Sequence, residues 1–500
     1  MKYSSTRGRD ELLVSAEAII AGIANNGGLF VPLQIPMLNE AAISELTELN
    51  YQQRAAKILE AFLTDYSIAD LNSCISQAYS SAKFDDQAIA PLRTLGTHDH
   101  VLELWHGPTS AFKDMALQLL PRLMSKALKM TGEAAQIVIL VATSGDTGKA
   151  ALEGFKDVEQ TKIIVFYPHD GVSEIQRMQM VSQSGNNVEV VAVKGNFDDA
   201  QTGVKNIFSN EQYNKDLAEH GYELSSANSI NWGRLVPQIV YYFSAYADLL
   251  GEGKIEAGSE VNFVVPTGNF GNILAGYYAK QMGLPIKRLI CASNANNVLT
   301  DFLQSGVYDR NRGFHKTISP SMDILISSNL ERLLYHVTGG NSEQVATWME
   351  ELTNNGTYHI GSENLEIIQN LFWSGWASDE DTTLAIKAIY EKYQYTADPH
   401  TAVAWYVSNR YREETGDQTP NVILSTASPY KFNKSVLNAL VGEKRLVGKD
   451  EFVMLNELAD ISGITVPKAL AGLKDAAVRF TQTCNKDDMA DTVKQLLLNK

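Results

Sequence analysis

Six short runs rich in Val, Ile, Leu and Phe recur along the middle of this chain, and they read as continuously apolar rather than alternating. They are 136–142 (QIVILVA), 162–167 (KIIVFY), 188–193 (VEVVAV), 261–265 (VNFVV), 288–292 (RLICA) and 421–425 (NVILS). A strand with one wet face alternates apolar and polar residues; a strand covered by helices on both faces does not. Most runs are followed by a polar or Gly-rich turn and then a helical pattern. The fold class is therefore α/β: an open, parallel-sheet core, divided between two lobes. Ligands of such sheets bind at the carboxyl ends of the strands. The turns after the runs are where chemistry is to be sought.

The ends of the chain differ from its middle. Residues 1–95 carry helical-period segments such as 40–49 (EAAISELTEL) and 53–64 (QRAAKILEAFLT), which predict a helical amino-terminal domain. Residues 96–432 form the two-lobed core, and 433–500 return to helical patterns as a carboxy-terminal helical cap. No apolar run approaches the roughly 18 residues of a membrane helix. The 42 basic and 58 acidic residues leave a formal charge of −16. Such a surface repels nucleic-acid backbones and anionic membranes, so no nucleic-acid or membrane partner is expected. A phosphorylated small substrate stays compatible, because local groups in a cleft outweigh the global field. Cys74, Cys291 and Cys484 form no CxxC pair and no metal-ligand spacing, which predicts no metal site and a reducing compartment. The start, MKYSSTRGRD, is polar at once and has no apolar leader, so a cytoplasmic setting is expected.

Four strand-end loops carry the candidate chemistry. In 143–148 (TSGDTG), Gly145 and Gly148 permit a tight turn; Thr143, Ser144 and Thr147 offer hydroxyls, and a helix start follows. Asp146 reads equally as an N-cap of that helix. In 266–272 (PTGNFGN), glycines flanked by Asn build an anion-binding turn that matches neither a Walker loop nor GxGxxG. In 106–114 (HGPTSAFKD), Lys113 near a helix start is a candidate amine nucleophile, its pKa lowered by burial; a surface lysine paired with Asp114 is the plain alternative. His106 by itself reads as structural. In 425–432 (STASPYKF), Thr426 presents a neutral hydroxyl, or simply an ST-turn before Pro429. Together these loops supply an amine, an anion cup, a helix end and a hydroxyl. Pyridoxal phosphate needs a lysine, a phosphate site and a partner for its ring nitrogen.

These four segments resemble, in order, signature segments of the threonine synthase family. So do YSSTRG (3–8), GGLFVP (27–32), NSINWGRLVPQ (228–238) and DPHTAVA (398–404). The resemblance runs from residue 3 to about 432 and fits the family's long branch, in the tryptophan-synthase-β-like fold group of pyridoxal-phosphate enzymes. It implies that Lys113 carries the cofactor as a Schiff base. It implies that Gly268, Asn269, Phe270, Gly271 and Asn272 bind the cofactor phosphate and that Thr426 faces the ring nitrogen. Thr143, Ser144, Asp146 and Thr147 would receive the substrate carboxylate. Asp146 stands where other branches of the fold group often carry Asn, and Ser428 stands where the family more usually has His.

The implied substrate is O-phospho-L-homoserine, turned by β,γ-elimination and replacement into L-threonine. Arg234 leads the candidates for the substrate phosphate, helped by Asn228, Ser229 and Asn231. Thr6 and Arg7 could join from a lid. The plain alternative for Arg234 is a structural ion pair. Two rivals stay open: a dehydratase or phospholyase on the same fold, which yields a keto acid, and a catalytically silent binding homologue. A monomer and a homodimer are both compatible.

Overall fold

The computed structural model describes every residue except Ser144, Asp170, Gly171, Asn499 and Lys500, and leaves out the side chains of Arg9, Asp10, Glu11 and Asp198. All six apolar runs are strands. They are Gln136–Ala142, Thr161–Pro168, Val188–Lys194, Val261–Pro266, Ile286–Ser293 and Asn421–Ser425, each buried over most of its length.

The strands divide between two sheets. The larger runs in the order Phe372–Trp376, Ile286–Ser293, Val261–Pro266, Asn421–Ser425, Asp99–Glu103 and Leu92–Thr94. Its neighbours are parallel except for the Leu92–Thr94 edge, which is antiparallel. The smaller runs Thr483–Asn485, Val188–Lys194, Thr161–Pro168, Gln136–Ala142 and Tyr222–Ser225, parallel throughout. Helices cover the faces. Helix Pro399–Thr415 lies against the large sheet, where Val403, Ala404 and Val407 meet Val101, Val264, Ile290 and Ile423. Burying an aliphatic side chain in this way stabilises by about 1.5–3 kcal/mol.

Asp99–Glu103 (DHVLE) is a buried strand whose polar composition hides it from a hydrophobicity reading. Its polar groups are satisfied by side chains outside the strand. Asp99 takes two hydrogen bonds from Arg412 Nη1, at 3.0 and 3.2 Å, and His100 Nδ1 lies 3.0 Å from Thr94 Oγ1. Glu103 meets His106 Nε2 at 3.0 Å.

The first 95 residues hold the expected helices, among them Tyr51–Glu60, which opens on an Asn50/Gln53 capping box. They also hold a small antiparallel sheet of Gly8–Leu13, Tyr3–Ser5 and Phe30–Pro32. Tyr3 anchors it to the rest of the molecule. Its ring lies 5.3 Å from Trp232, and its hydroxyl donates to Phe62 O at 2.9 Å. At the other end, 433–500 holds helices such as Asn433–Val441 and Glu451–Ser462 and also supplies the Thr483–Asn485 edge strand. Helix Met489–Leu498 then packs Met489, Val493 and Leu497 onto Val138, Leu140, Ile164 and Phe166 of the small sheet.

Candidate active site

All four candidate loops leave the carboxyl ends of their strands, as the parallel-sheet rule requires. The large sheet delivers 104–114, 267–272 and 426–432; the small sheet delivers 143–148. Two of them are joined by backbone pairing. Phe112 N donates to Thr426 O at 2.8 Å, Ser428 N donates to Ser110 O at 3.0 Å, and Ala111 bridges Ala427. Thr426 is thereby held beside the segment that leads into Lys113. Ser110 turns that segment with φ 58°, a left-handed conformation that a non-glycine residue keeps only when its surroundings enforce it.

Lys113 stands at the start of the short helix Asp114–Leu117 and is buried. Its Nζ lies 3.9 Å from Asp146 Oδ2 and 4.9 Å from the centroid of the Phe112 ring. Burial is the largest influence on its pKa. The Asp146 charge works the other way, the Arg234 and Lys431 charges reinforce burial, and the outcome is about 8. A lysine in that state has far more of its amine free near neutrality than an ordinary lysine. Asp146 is not an N-cap, since helix Asp146–Phe155 has no side-chain cap. Its carboxylate oxygen Oδ1 instead lies 2.6 Å from Lys431 Nζ and 3.1 Å from Gln176 Nε2. Burial pushes the Asp146 pKa up, but the Lys431 and Lys113 charges more than offset it and leave the carboxyl far below the usual range. Gly145 makes the turn with φ 153°, and a Cβ there would collide with the Gln176 amide.

The anion cup follows Val261–Pro266. Phe270 takes φ 63° and helix Gly271–Gln281 begins at once. The first N–H groups of any helix lack an intrahelical acceptor, so they face whatever occupies the turn. At Gly268 the chain runs close to its neighbour: a Cβ there would lie 3.0 Å from Ser321 O and 3.1 Å from Met322 Cα, a tight fit that favours glycine. Asn269 O accepts from Asn329 N at 3.1 Å and Nδ2 at 2.9 Å. Asn272 is held by two tyrosines, Tyr241 OH at 2.6 Å and Tyr242 OH at 3.1 Å from its Oδ1. Its buried Nδ2 has no partner among the described residues. An oriented, buried donor with no protein acceptor fits the cofactor phosphate, just as the amine of Lys113 fits its aldehyde. Asn272→Ala should weaken pyridoxal phosphate binding by about tenfold, the worth of one hydrogen bond to a charged group. Titration of the apoprotein with the cofactor checks this.

Arg234 is buried, and the only described hydrogen bond of its guanidinium is from Nη1 to Ala227 O at 2.9 Å. No carboxylate pairs with it among the described residues, so the ion-pair alternative is not what the structure holds. Burial alone brings its pKa down to about 10. Ser229 Oγ accepts from Asn329 Nδ2 at 3.2 Å, and Asn329 also grips Asn269, so the NSINWGR loop meets the anion cup. Asn228 is exposed at the loop's start, and Thr147 lies partly exposed in the first turn of its helix. Ser144 lies outside the described residues.

Other expected ligands are engaged elsewhere. The Thr143 hydroxyl accepts from the Gly145 and Gly148 amides, both at 3.0 Å, and so shapes the loop. Asn231 donates to Ile19 O and Ser226 O at 3.0 and 3.1 Å and accepts from Gly233 N at 2.9 Å, which spends its amide on tying the loop to the first helix. Thr6 and Arg7 are both bound to Glu331, Arg7 in bidentate fashion at 2.9 and 2.7 Å, so neither is free to close as a lid. His106 is structural, clamped between Asp85 at 2.6 Å and Glu103 at 3.0 Å. Burial lowers its pKa, yet those carboxylates lift it to about 9.

Sequence reasoning alone misses several residues. Lys431 lies inside STASPYKF, where nothing local gives it a role. Arg332, fully buried, donates to Phe30 O at 3.0 Å, Asn329 Oδ1 at 2.6 Å and Ile230 O at 2.5 Å, and so fixes the Asn269 support. His400 holds Asp398 Oδ1 at 2.8 Å and accepts from Ser321 N at 3.1 Å, which sets the turn over Gly268. The DPHTAVA motif is the signal in the sequence for that pair. An open groove of about 600 Å³ lined by Lys287, Trp373, Tyr411 and Asp417 lies instead at the amino ends of the strands. Lys287 and Tyr411 are both spent on Asp417, at 2.9 and 2.6 Å.

Comparison with known proteins bears on the class of this chain. A family model described as pyridoxal-phosphate dependent enzyme matches residues 93–427. Models described as threonine synthase N terminus and threonine synthase, C-terminal match 2–79 and 401–496. Threonine synthase of Pseudomonas aeruginosa is 40% identical over 444 residues, 89% of this chain and 91% of that protein. Threonine synthase-like 1 of Homo sapiens is 42% identical over 85% of this chain, which spans only 58% of the human protein's length. A crystal structure of PLP-bound threonine synthase from Brucella melitensis superposes with a TM-score of 0.88 at 37% identity, covering 99% of both chains. The fold and the family model over 93–427 therefore define the class, that of the pyridoxal-phosphate-dependent enzymes. The matches at both ends narrow this further: the chain belongs to the threonine synthase family.

Proposed function

We propose that this enzyme converts O-phospho-L-homoserine and water into L-threonine and inorganic phosphate, the closing step of threonine biosynthesis, as a carbon–oxygen lyase acting on a phosphate. The observation that carries the substrate assignment is Arg234, a buried guanidinium without a carboxylate partner among the described residues, near enough to Lys113 to depress its pKa. Such an arginine is satisfied by an anion that comes and goes. When bound, pyridoxal phosphate supplies the electron sink that makes the substrate's Cα and Cβ hydrogens acidic.

The chain's own groups do the rest. Arg234 takes the substrate phosphate, where a planar fork outperforms a lysine. Ser229 borders the same loop. The start of helix Asp146–Phe155, with Thr147, receives the substrate carboxylate through its free N–H groups. The Asn272 amide and the helix start at Gly271 hold the cofactor phosphate. Thr426 would offer the ring nitrogen a hydroxyl, which would not keep it protonated as a carboxylate would, and this would favour elimination over transamination. Lys113 takes the Cα proton and returns it. Phosphate departs from Cγ as a proton leaves Cβ; Cγ then gains a proton, and water delivers its hydroxyl to Cβ. We place the enzyme in the cytoplasm, as a monomer or homodimer.

The test is to supply the cofactor-loaded protein with O-phospho-L-homoserine and assay phosphate, threonine and 2-oxobutyrate together. Equal amounts of phosphate and threonine are expected. Keto acid in place of threonine would move the enzyme to the phospholyase reading, and no phosphate release would remove the substrate assignment.

A further inference from the structure

We propose that Lys431 is a positioning residue for Lys113: it occupies one oxygen of Asp146 and so leaves Lys113 its free amine. Lys431 sits in the turn Pro429–Phe432 with its side chain wholly sealed from solvent. Its ammonium lies 2.6 Å from Asp146 Oδ1 and 3.0 Å from Thr109 O. Thr109 in turn donates to Asp114 from its N–H at 2.7 Å and its hydroxyl at 2.8 Å, and Asp114 follows Lys113 in the chain. One ammonium therefore ties the STASPYKF, TSGDTG and HGPTSAFKD loops together.

A buried ammonium is strongly unfavourable unless it is well paired, so its presence here calls for a reason beyond packing. The charges around Lys113 supply one. Facing it are the Asp146 carboxylate, the Asp114 carboxylate and the Arg234 and Lys431 cations. Facing Asp146 are Lys431, Lys113, Gln176 and the Ser321 hydroxyl, the last at 3.5 Å. Without Lys431, the one remaining described cation able to neutralise Asp146 at contact is Lys113 itself. Lys113 would then be held as an ammonium, which does not attack an aldehyde. Loss of the Lys431 charge would also remove a repulsion that expels the Lys113 proton. Both effects act in one direction.

The inference rests on Lys113 as the cofactor amine but not on the substrate, and its test needs neither turnover nor cofactor. Apoprotein is pulse-labelled by reductive methylation over a pH series, and Lys113 modification is read by peptide mass spectrometry. In Lys431→Met the midpoint of Lys113 labelling should rise by about one unit or more, while Lys431→Arg stays near the wild type. An unmoved midpoint in folded Lys431→Met, with only a lower melting temperature, overturns the proposal. Should Lys431→Met fail to fold, Lys431→Gln takes its place, since its amide can still donate to Asp146 without supplying a charge. Its midpoint should rise in the same way, and an unmoved midpoint overturns the proposal equally.

Discussion

Lys113→Ala protein should fold, fail to attach pyridoxal phosphate covalently, and release phosphate from O-phospho-L-homoserine at least ~10⁴-fold more slowly than the wild type. The magnitude combines loss of the covalent anchor with loss of a general base, the latter alone worth about 10²–10⁴-fold. The fold should survive because the amine is a liability in the ground state. Burial, the largest influence on it, disfavours its charge, and Asp146 keeps a closer partner in Lys431 at 2.6 Å against 3.9 Å for Lys113. Absorbance of the loaded protein and a phosphate assay are the two readouts. Appreciable turnover by folded Lys113→Ala would mean that another amine anchors the cofactor.

Arg234→Ala should raise KM and lower kcat/KM by about 10²–10⁴-fold while leaving cofactor affinity close to that of the wild type. Two charge-assisted hydrogen bonds to a phosphate are each worth about 1.5–3 kcal/mol, and every 1.4 kcal/mol is about tenfold. Stability should change little, because the guanidinium makes one described hydrogen bond, to the Ala227 carbonyl, and a buried cation without a counter-ion is itself unfavourable. Arg234→Lys should recover only part of the loss, since an ammonium cannot form the paired bonds of a guanidinium. A variant that melts earlier but keeps its KM would return Arg234 to a structural role and leave the substrate phosphate without its main ligand.

Asp146 shows where local reasoning stops. At the first position of a helix, after a glycine, an aspartate reads as a cap, and nothing within TSGDTG says otherwise. In the fold its carboxylate turns to Lys431, Gln176 and Lys113, which arrive from three separate stretches of chain. Arg7 shows the opposite case. Next to a signature motif it looks free to close on a phosphate, yet Glu331, far along the chain, holds it in a bidentate pair.

The parallel α/β architecture, its six main strands and the four loops at their ends are all legible in the residues alone. Those features are local: a strand wet on neither face loses its alternation, and a turn that approaches a ligand needs glycine and short polar residues. The run of motifs in order also marks Lys113 as the candidate amine. Which polar groups are spent, and which stay available, emerges only when the chain is packed. Thr143, Asn231, Thr6 and Arg7 are engaged, while Arg234 and the Asn272 amide keep unclaimed donors among the described residues. The Asp99–Glu103 strand and the placement of Lys431 belong with them. A buried polar group is tolerated only when a partner from elsewhere in the chain satisfies it, and that partner is fixed by three-dimensional distance rather than by residue type.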